Sequence, residues 1–226
     1  MIAALFDCDG TLYSAQFGRG LMQSASGHGR KGAVRFYYAS ILIPYLLRKL
    51  KLIHEENLAR PIVAHLAGLI KGLDEQQGDA MFDWLTHDYL LPTGRPEIIA
   101  RLRDHQAQGH AVLLVSAAFR PSVERLARAF GVMGFVGTQV EVQNGYYTGR
   151  IIPPVITGND KDRCTREFFA SRNMEIDWPA SYAYADSITD LGLFNLVGHP
   201  IAVYPDAKLH ALAQAKNWEI MGTPRS

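Results

Sequence analysis

Near the start of the chain, two carboxylates stand two residues apart in the segment Asp7-Cys8-Asp9-Gly10-Thr11. A carboxylate can act as a nucleophile and form a covalent phosphoryl intermediate. A second carboxylate beside it can serve as a general acid and then as a base for water. Gly10 lets the chain turn away sharply, and the Thr11 hydroxyl can hold the loop. The pattern therefore predicts phosphoryl transfer on Asp7, with an ordinary Asp-Gly turn as the alternative.

A second pair of carboxylates, Asp186 and Asp190, follows another apolar run much later in the chain. At the start of a helix, side chains four residues apart share one face. Together with Asp7 they would form an oxygen-rich site suited to Mg²⁺, a hard cation that keeps several waters. The alternative is that Asp186 caps a helix while Asp190 lies on a solvated face. The sequence predicts Mg²⁺ as the cofactor.

Ser116 and Lys161 are further candidates for contact with a phosphoryl group. The Ser116 hydroxyl and the backbone N–H that follows it can donate to phosphoryl oxygens. Lys161 begins a predicted helix, where its charge can offset a phosphoryl group and a nucleophilic carboxylate; an ordinary surface lysine is the alternative. The predicted phosphate ligands are Gly10, Thr11, Ser116, Ala117 and Lys161, and the predicted catalytic residues are Asp7, Asp9, Ser116 and Lys161.

Short apolar runs must position these residues. Three of them are predicted strands that end in Asp7, Ser116 and Asp186. Ligands of open parallel sheets bind outside the carboxyl ends of the strands, so the three side chains should share one cleft. Strands that alternate with helices indicate a parallel α/β sheet, and Asn144-Gly145 predicts a hairpin. The predicted strands are 2–6, 111–115, 181–185 and 201–204, with another from Phe135.

A long segment separates the first two predicted strands. Residues 14–31 are rich in Gly, Ser and Arg and predict a loop or linker, whereas 33–87 follow a helical period. No acidic residue occurs between Asp9 and Glu55. The seven basic residues of that stretch are Arg19, Arg30, Lys31, Arg35, Arg48, Lys49 and Lys51. This asymmetry favours a positive surface that faces an anionic substrate or an anionic membrane.

The composition is that of a soluble globular protein large enough for one core and a small second domain. The chain has 226 residues, of which 48% are hydrophobic and 20% are charged. A formal net charge of +1 gives no sign of a nucleic-acid partner, and none is expected. Cys8 and Cys164 lack metal-ligand spacing, and the amino terminus lacks a signal-peptide pattern, so we predict a cytoplasmic location. The sequence does not indicate the oligomeric state.

The four motifs, in this order, resemble those of the haloacid dehalogenase superfamily of phosphohydrolases. The segment 7–11 is similar to the first motif, Ser116 to the second, Lys161 to the third, and Asp186 with Asp190 to the fourth. The insertion resembles a C1-type cap, and the hairpin and the fourth motif resemble subfamily IB, the phosphoserine-phosphatase-like branch. The resemblance implies a Rossmann-like core over 1–13 and 90–226 with a helical cap over 14–89.

The resemblance also implies roles for single residues. Asp7 would be the nucleophile and Asp9 the acid and base. Mg²⁺ would be held by Asp7, the backbone carbonyl of Asp9 and Asp186, with Asp190 acting through water. One position departs from the pattern: where phosphoserine phosphatases have a cap glutamate that meets the substrate amine, this chain has Gln16. Phosphoserine is therefore not the expected substrate.

The sequence as a whole predicts a magnesium-dependent hydrolase of small phosphate monoesters, histidinol phosphate among them. A lysophospholipid or another lipid phosphate, reached through the basic stretch at a membrane surface, is an alternative substrate. A phosphotransferase that passes the phosphoryl group to an acceptor other than water is a second alternative. A phosphate-binding module without turnover is disfavoured, because both Asp7 and Asp9 are present.

Overall fold

The computed structural model describes residues 1–49 and 59–224, without the side chains of 43–49 and 59. Within these residues, seven strands form one sheet in the order β4-β3-β2-β1-β5-β6-β7. Neighbouring strands are parallel, except that β4 is antiparallel to β3. The strands are β1 Ala3–Phe6, β2 Ala111–Phe119, β3 Gly134–Gln143, β4 Tyr146–Ile152, β5 Tyr182–Ala185, β6 His199–Val203 and β7 Glu219–Met221. The predicted parallel α/β fold is confirmed.

The central strand β1 is buried on both faces, as its unbroken apolar sequence requires. Ala3 and Leu5 join the core on one face of the sheet, whereas Ala4 and Phe6 join the core on the other. Phe6 pairs with Leu114 of β2 and with Tyr184 of β5. This register brings the carboxyl ends of the three strands to one edge, where Asp7 follows β1, Asp186 follows β5, and Ser116 lies within β2.

Helices cover both faces of the sheet, as expected for a doubly wound fold. The helices between β1 and β2 are α1 Phe17–Gly27, α2 Lys31–Lys49, α3 Ala59–Leu66, α4 Glu75–Trp84 and α5 Pro96–Ala107. Those that follow are α6 Arg120–Phe130, α7 Asn159–Ala170, α8 Leu191–Phe194 and α9 Ala207–Ala215. In residues 1–49 and 59–224, no helix combines the length and the apolar character needed to cross a bilayer.

The loop predicted over 14–31 is wrong, because most of this segment forms α1. Phe17, Leu21 and Ala25 recur every four residues and are buried against the core, so packing outweighs the low helix propensity of the Gly and Ser residues. Gly20 is needed at its position. A Cβ there would come within 2.4 Å of the Leu85 and Tyr89 side chains, which pack directly on the α1 backbone.

The other predicted strands differ from the structure at their ends, and one strand was missed. β2 does not end at Ser116 but continues to Phe119, with an irregular register against β3 between these two residues. Asn144 and Gly145 both have positive φ and form the predicted hairpin turn. The strand β7 was not predicted. Of the seven basic residues before Glu55, Lys51 and the side chains of Arg48 and Lys49 lie outside the described residues.

The two chain segments that join the insertion to the core run side by side. Tyr13 bridges to Gly94, the Ser14 N–H donates to the Thr93 carbonyl at 3.0 Å, and the Arg95 N–H donates to the Leu12 carbonyl at 2.9 Å. The loop after β1 is thereby fixed to the chain that leads into α5. The first predicted motif and the insertion are coupled through this short pair of strands.

Candidate active site

Three buried carboxyl groups meet at the carboxyl edge of the sheet. Asp7 follows β1, Asp186 follows β5, and Asp190 ends the short 3-10 turn Ile188–Asp190. Each offers an oxygen within 4.8 Å of the others, and each is at most 5% exposed. A set made only of carboxylate oxygens, without nitrogen or sulfur ligands, fits Mg²⁺ or a similar hard cation. The predicted carboxylate cluster is brought together by the fold.

Lys161 supplies the positive charge of this cluster. It lies in the first turn of α7, is 4% exposed, and places Nζ 2.6 Å from Asp7 Oδ1 and 2.5 Å from Asp190 Oδ1. Burial alone would lower the pKa of Lys161, but the attraction of Asp190 and Asp7 outweighs it and raises the pKa. Burial raises the pKa of Asp190, because it disfavours the charged carboxylate, although Lys161 offsets part of the effect. Lys161 therefore stays protonated beside Asp7.

Asp9 points away from the cluster and is held by two donors. Its Oδ1 accepts a hydrogen bond of 2.5 Å from Tyr13 Oη, and its Oδ2 accepts one of 2.9 Å from the N–H of Phe17. Burial raises the pKa of Asp9 to about 6, with the Tyr13 hydrogen bond acting in the opposite direction. A carboxyl group with this pKa can carry and release a proton near neutral pH, which suits a general acid.

The hydroxyl groups of Thr11 and Ser116 are buried at the same edge. Thr11 Oγ1 donates to Asp7 Oδ2 at 3.3 Å, and Ser116 Oγ accepts from the Ala118 N–H at 3.1 Å. The first bond orients the Asp7 carboxylate, and the second shapes the end of β2. Gly10 has a φ of 76°, which a side chain would disfavour, and this turn lets the chain leave the site directly after Asp9.

A cavity of about 620 Å³ opens beside these residues. Asp9, Gly10, Ala117 and Asp186 line it, together with residues of α1, α2 and α3. A second cavity of about 660 Å³ lies between Arg60 and the start of α7, and none of the predicted site residues lines it. The first cavity is therefore the one that gives a substrate access to the predicted acid.

The sequence missed three residues that complete the site. Tyr13 donates to Asp9, Arg95 lines the cavity, and Asp206 accepts hydrogen bonds from the Ile188 and Leu209 N–H groups at 2.9 and 2.8 Å. Asp206 thus supports the loop that carries Asp186 and Asp190. Tyr13 lies only four residues from Asp9, a spacing that could have suggested contact. No local pattern joins Arg95 or Asp206 to the motifs, because both arrive through the fold.

Comparisons with known proteins agree with the geometry. The family model described as haloacid dehalogenase-like hydrolase matches residues 4–195. Phosphoserine phosphatase SerB1 of Mycobacterium tuberculosis is 29% identical over 229 residues, which cover 96% of this chain and 70% of that protein. A histidinol-phosphatase of Neisseria meningitidis is 29% identical over 159 residues, covering 70% of this chain and 71% of that protein.

The fold also matches solved structures. A Bordetella pertussis protein of unknown function superposes with a TM-score of 0.83 at 26% identity, over 97% of both chains. The resemblance drawn from the four motifs and the phosphoserine-phosphatase-like branch is confirmed. The family model spans both the loop of Asp7 and Asp9 and the loop of Asp186 and Asp190, and the chain therefore belongs to the haloacid dehalogenase-like hydrolases.

Proposed function

We propose that this protein hydrolyses phosphate monoesters through an aspartyl-phosphate on Asp7, with Mg²⁺ as cofactor. The arrangement around Asp7 carries the proposal. Its carboxylate lies at the carboxyl edge of the sheet, 2.6 Å from the Lys161 ammonium and within 4.8 Å of Asp186 and Asp190. Phosphoryl transfer needs positioning and charge stabilisation above all, and these groups offer both.

The reaction divides into two transfers. Asp7 attacks phosphorus, the ester P–O bond breaks, and Asp9 gives its proton to the leaving oxygen. Asp9 then takes a proton from water as the water oxygen attacks the phosphoryl group, which releases phosphate and frees Asp7. Lys161 offsets negative charge throughout. Mg²⁺ bound by Asp7, Asp186 and the Asp9 carbonyl would polarise the phosphoryl oxygens, with Asp190 acting through water.

The insertion over 14–89 would act as a cap over a core of 1–13 and 90–226. The N–H that holds Asp9 belongs to Phe17, the first residue of α1. The position of the cap thus bears directly on the proposed acid. A cytoplasmic location agrees with the two free cysteines.

The substrate is a small phosphorylated metabolite. One relative is named a phosphoserine phosphatase and another a histidinol-phosphatase, and both of those substrates carry an amine. In the described lining of the cavity, Gln16 is neutral, and Asp9 and Asp186 are the only carboxylates. Both serve the reaction, so this lining offers no spare acid for an ammonium group, and phosphoserine is disfavoured.

A lipid phosphate is the second candidate, because one face of α2 is apolar and exposed. Phe36, Tyr38 and Leu42 are 74%, 56% and 54% exposed, and Lys31 and Arg35 are exposed on the same helix. Apolar side chains interleaved with basic ones favour the surface of an anionic membrane. This face would bring the cap to a lysophospholipid without any change in the chemistry at Asp7.

The decisive experiment measures phosphate release from a panel of monoesters by the wild type and by Asp7→Asn. The substitution keeps the size and removes the attacking charge, so we expect a loss of at least about 10³-fold in kcat. A chelator should abolish activity, Mg²⁺ should restore it, and Ca²⁺ should inhibit through its looser coordination. Substantial turnover by folded Asp7→Asn would contradict the mechanism. Added alcohol acceptors would reveal phosphotransfer by forming new esters.

A further inference from the structure

Resting on the proposed function, the lining of the cavity indicates what the leaving group of the substrate carries. Arg95 lies where the chain returns from the insertion, and its side chain lines the same cavity as Asp9 and Asp186. We infer that Arg95 binds a second anionic group, so that the preferred substrates are phosphate monoesters whose leaving group carries a carboxylate or a further phosphate.

Arg95 is held firmly without being neutralised. Its guanidinium carbon lies 3.6 Å from the centroid of the Tyr204 ring, a cation–π contact that holds the side chain without cancelling its charge. Gly222 packs on the same tyrosine, because a Cβ there would come within 2.5 Å of ring atoms. Glu97, two residues further along the chain, accepts a hydrogen bond of 2.8 Å from Tyr204 Oη. Within residues 1–49 and 59–224, Arg95 has no carboxylate at ion-pair distance.

One donor of Arg95 also lacks an acceptor. Its Nε is buried, and no described atom accepts a hydrogen bond from it. A buried donor without an acceptor costs free energy that a ligand oxygen can recover. The planar fork of an arginine matches the two oxygens of a carboxylate or a phosphate. Both properties point to an anion as the missing partner.

The cations of the cavity differ from the cation of the proposed phosphoryl site. Lys161, which serves the reacting group, is already paired with Asp7 and Asp190. Arg19 of α1 lines the same cavity as Arg95, and Arg19 has no ion-pair partner among the described side chains. Arg95 and Arg19 therefore offer the cavity two positive charges that no described carboxylate pairs.

The remaining walls indicate the carbon skeleton of the substrate. Phe17, Met22 and Leu66 line the insertion side of the cavity. These side chains offer apolar contact and no hydrogen bonds, so they suit a short carbon chain or a ring placed between the two anionic groups. An aryl phosphate with a carboxylate opposite the ester reproduces this combination and serves as a probe.

The test compares 4-carboxyphenyl phosphate with phenyl phosphate, which differ only in the carboxylate. We expect the wild type to prefer the carboxylated ester in kcat/KM. Arg95→Met should lower this preference about tenfold or more, mainly by raising KM for the carboxylated ester. Arg95→Lys keeps the charge without the fork and should recover part of the preference. Arg172→Met removes an exposed arginine that follows α7 and does not line the cavity, and it should leave both esters unchanged.

Three results would overturn the inference. Equal losses on both esters in Arg95→Met, with thermal unfolding unchanged, would assign Arg95 to the reacting phosphate. A wild type without preference would remove the anion site, while hydrolysis of phenyl phosphate that depends on Asp7 would leave the proposed function standing. If neither these esters nor a wider panel of monoesters is hydrolysed, the proposed function fails and the inference fails with it.

Discussion

Two buried polar clusters of this protein treat charge in opposite ways. At the carboxyl edge of the sheet, Lys161 lies between Asp7 and Asp190, and the cluster is ionic. Between α5 and the sheet, His105 Nε2 lies 2.8 Å from Tyr184 Oη, and its Nδ1 lies 2.8 Å from His110 Nδ1. A neutral imidazole offers one donor and one acceptor, which this second cluster uses fully.

Burial shifts the pKa values of His105 and Asp190, one from each cluster, in opposite directions. Burial, aided by His110 and Arg101, lowers the pKa of His105 to about 4, so the ring stays neutral in the folded protein. Burial raises the pKa of Lys161's partner Asp190, but the ammonium between the two carboxylates keeps the ionic form accessible. The protein thus buries charged groups at the proposed active site, and it buries neutral hydrogen-bonded groups where α5 packs on the sheet.

The largest expected effect comes from removing the lysine. Lys161→Met leaves Asp7 and Asp190 buried without their counter-charge, and breaking a buried ion pair typically costs about 3–5 kcal/mol. We expect the free energy of unfolding to fall by that amount in a chelator, as measured by denaturant titration. Lys216→Met, an exposed lysine, should change it by less than about 0.5 kcal/mol. A Lys161→Met protein as stable as the wild type would show that the cluster is not ionic.

A cation should replace part of what the lysine supplies. Mg²⁺ that binds only the folded protein stabilises it by about 2.7 kcal/mol at a concentration one hundred times its Kd. We expect this gain in the wild type and a much smaller one in Asp186→Asn, which loses a charged ligand of the cluster. Equal gains in both proteins would place the cation elsewhere. His105 belongs to the neutral cluster, so Mg²⁺ should stabilise His105→Gln as much as it stabilises the wild type.

The next effect is a loss of stability at acid pH, through His105. Above an unfolded-state pKa of about 6.5, the ring is neutral in both states and the folded protein has its full stability. As pH falls from about 6.5 towards 4, the unfolded chain binds a proton that the folded protein, with a pKa of about 4, does not. The stability lost in this window is about 2–3 kcal/mol, and it changes no further below pH 4.

Asp9, which lies outside the ionic cluster, acts in the opposite direction in the same window. Asp9, with a raised pKa of about 6, takes up its proton in the folded protein first, so folding gains stability as pH falls. The His105 contribution is therefore measured as a difference between the wild type and His105→Gln, at each pH from 7 to 4 and without Mg²⁺. Parallel pH profiles for the two proteins would show that the His105 ring titrates normally.

The two clusters also differ in how well they could be predicted from the sequence. The ionic residues each follow an apolar strand or open a helix, and parallel strands bring their carboxyl ends together, so Asp7, Ser116 and Asp186 could be predicted to share an edge. The neutral cluster has no such signal. His105 lies on α5 and Tyr184 on β5, and only the packing of that helix on the sheet makes them partners.

The same limit explains the other misses. Residues 14–31 carry many Gly and Ser residues, and their helix α1 forms because Phe17, Leu21 and Ala25 find a core to bury against. The stack of Arg95 on Tyr204 joins residues more than one hundred positions apart. Local propensity and motif spacing describe strand ends well, whereas contacts between distant elements depend on the completed fold.

The smallest expected effect concerns exposed charges on helix α2, which belong to neither buried cluster. Lys31 and Arg35 lie in solvent near Phe36, and exposed charges act over about 10 Å at 0.1 M salt. Reversing both to Glu should weaken binding to vesicles containing phosphatidylserine by about 1 kcal/mol per residue. It should raise KM for anionic substrates modestly and leave kcat unchanged, because neither residue lines the cavity beside Asp9. Adding the predicted Arg48, Lys49 and Lys51 to the reversal should deepen the loss.

The control reverses Arg172 and Lys216, exposed cations that lie after α7 and after α9. If the α2 face docks on a membrane, this control keeps vesicle binding, whereas the α2 variant loses it, and added salt reduces the difference. Phe36→Ser and Leu42→Ser should then weaken binding at high salt as well, because apolar burial is not screened. A wild type that ignores vesicles, with α2 variants of normal kinetics, would make α2 a solvated surface. Substrate choice would then depend on the shape and charge of the cavity around Arg95, and the lipid-phosphate alternative would be excluded.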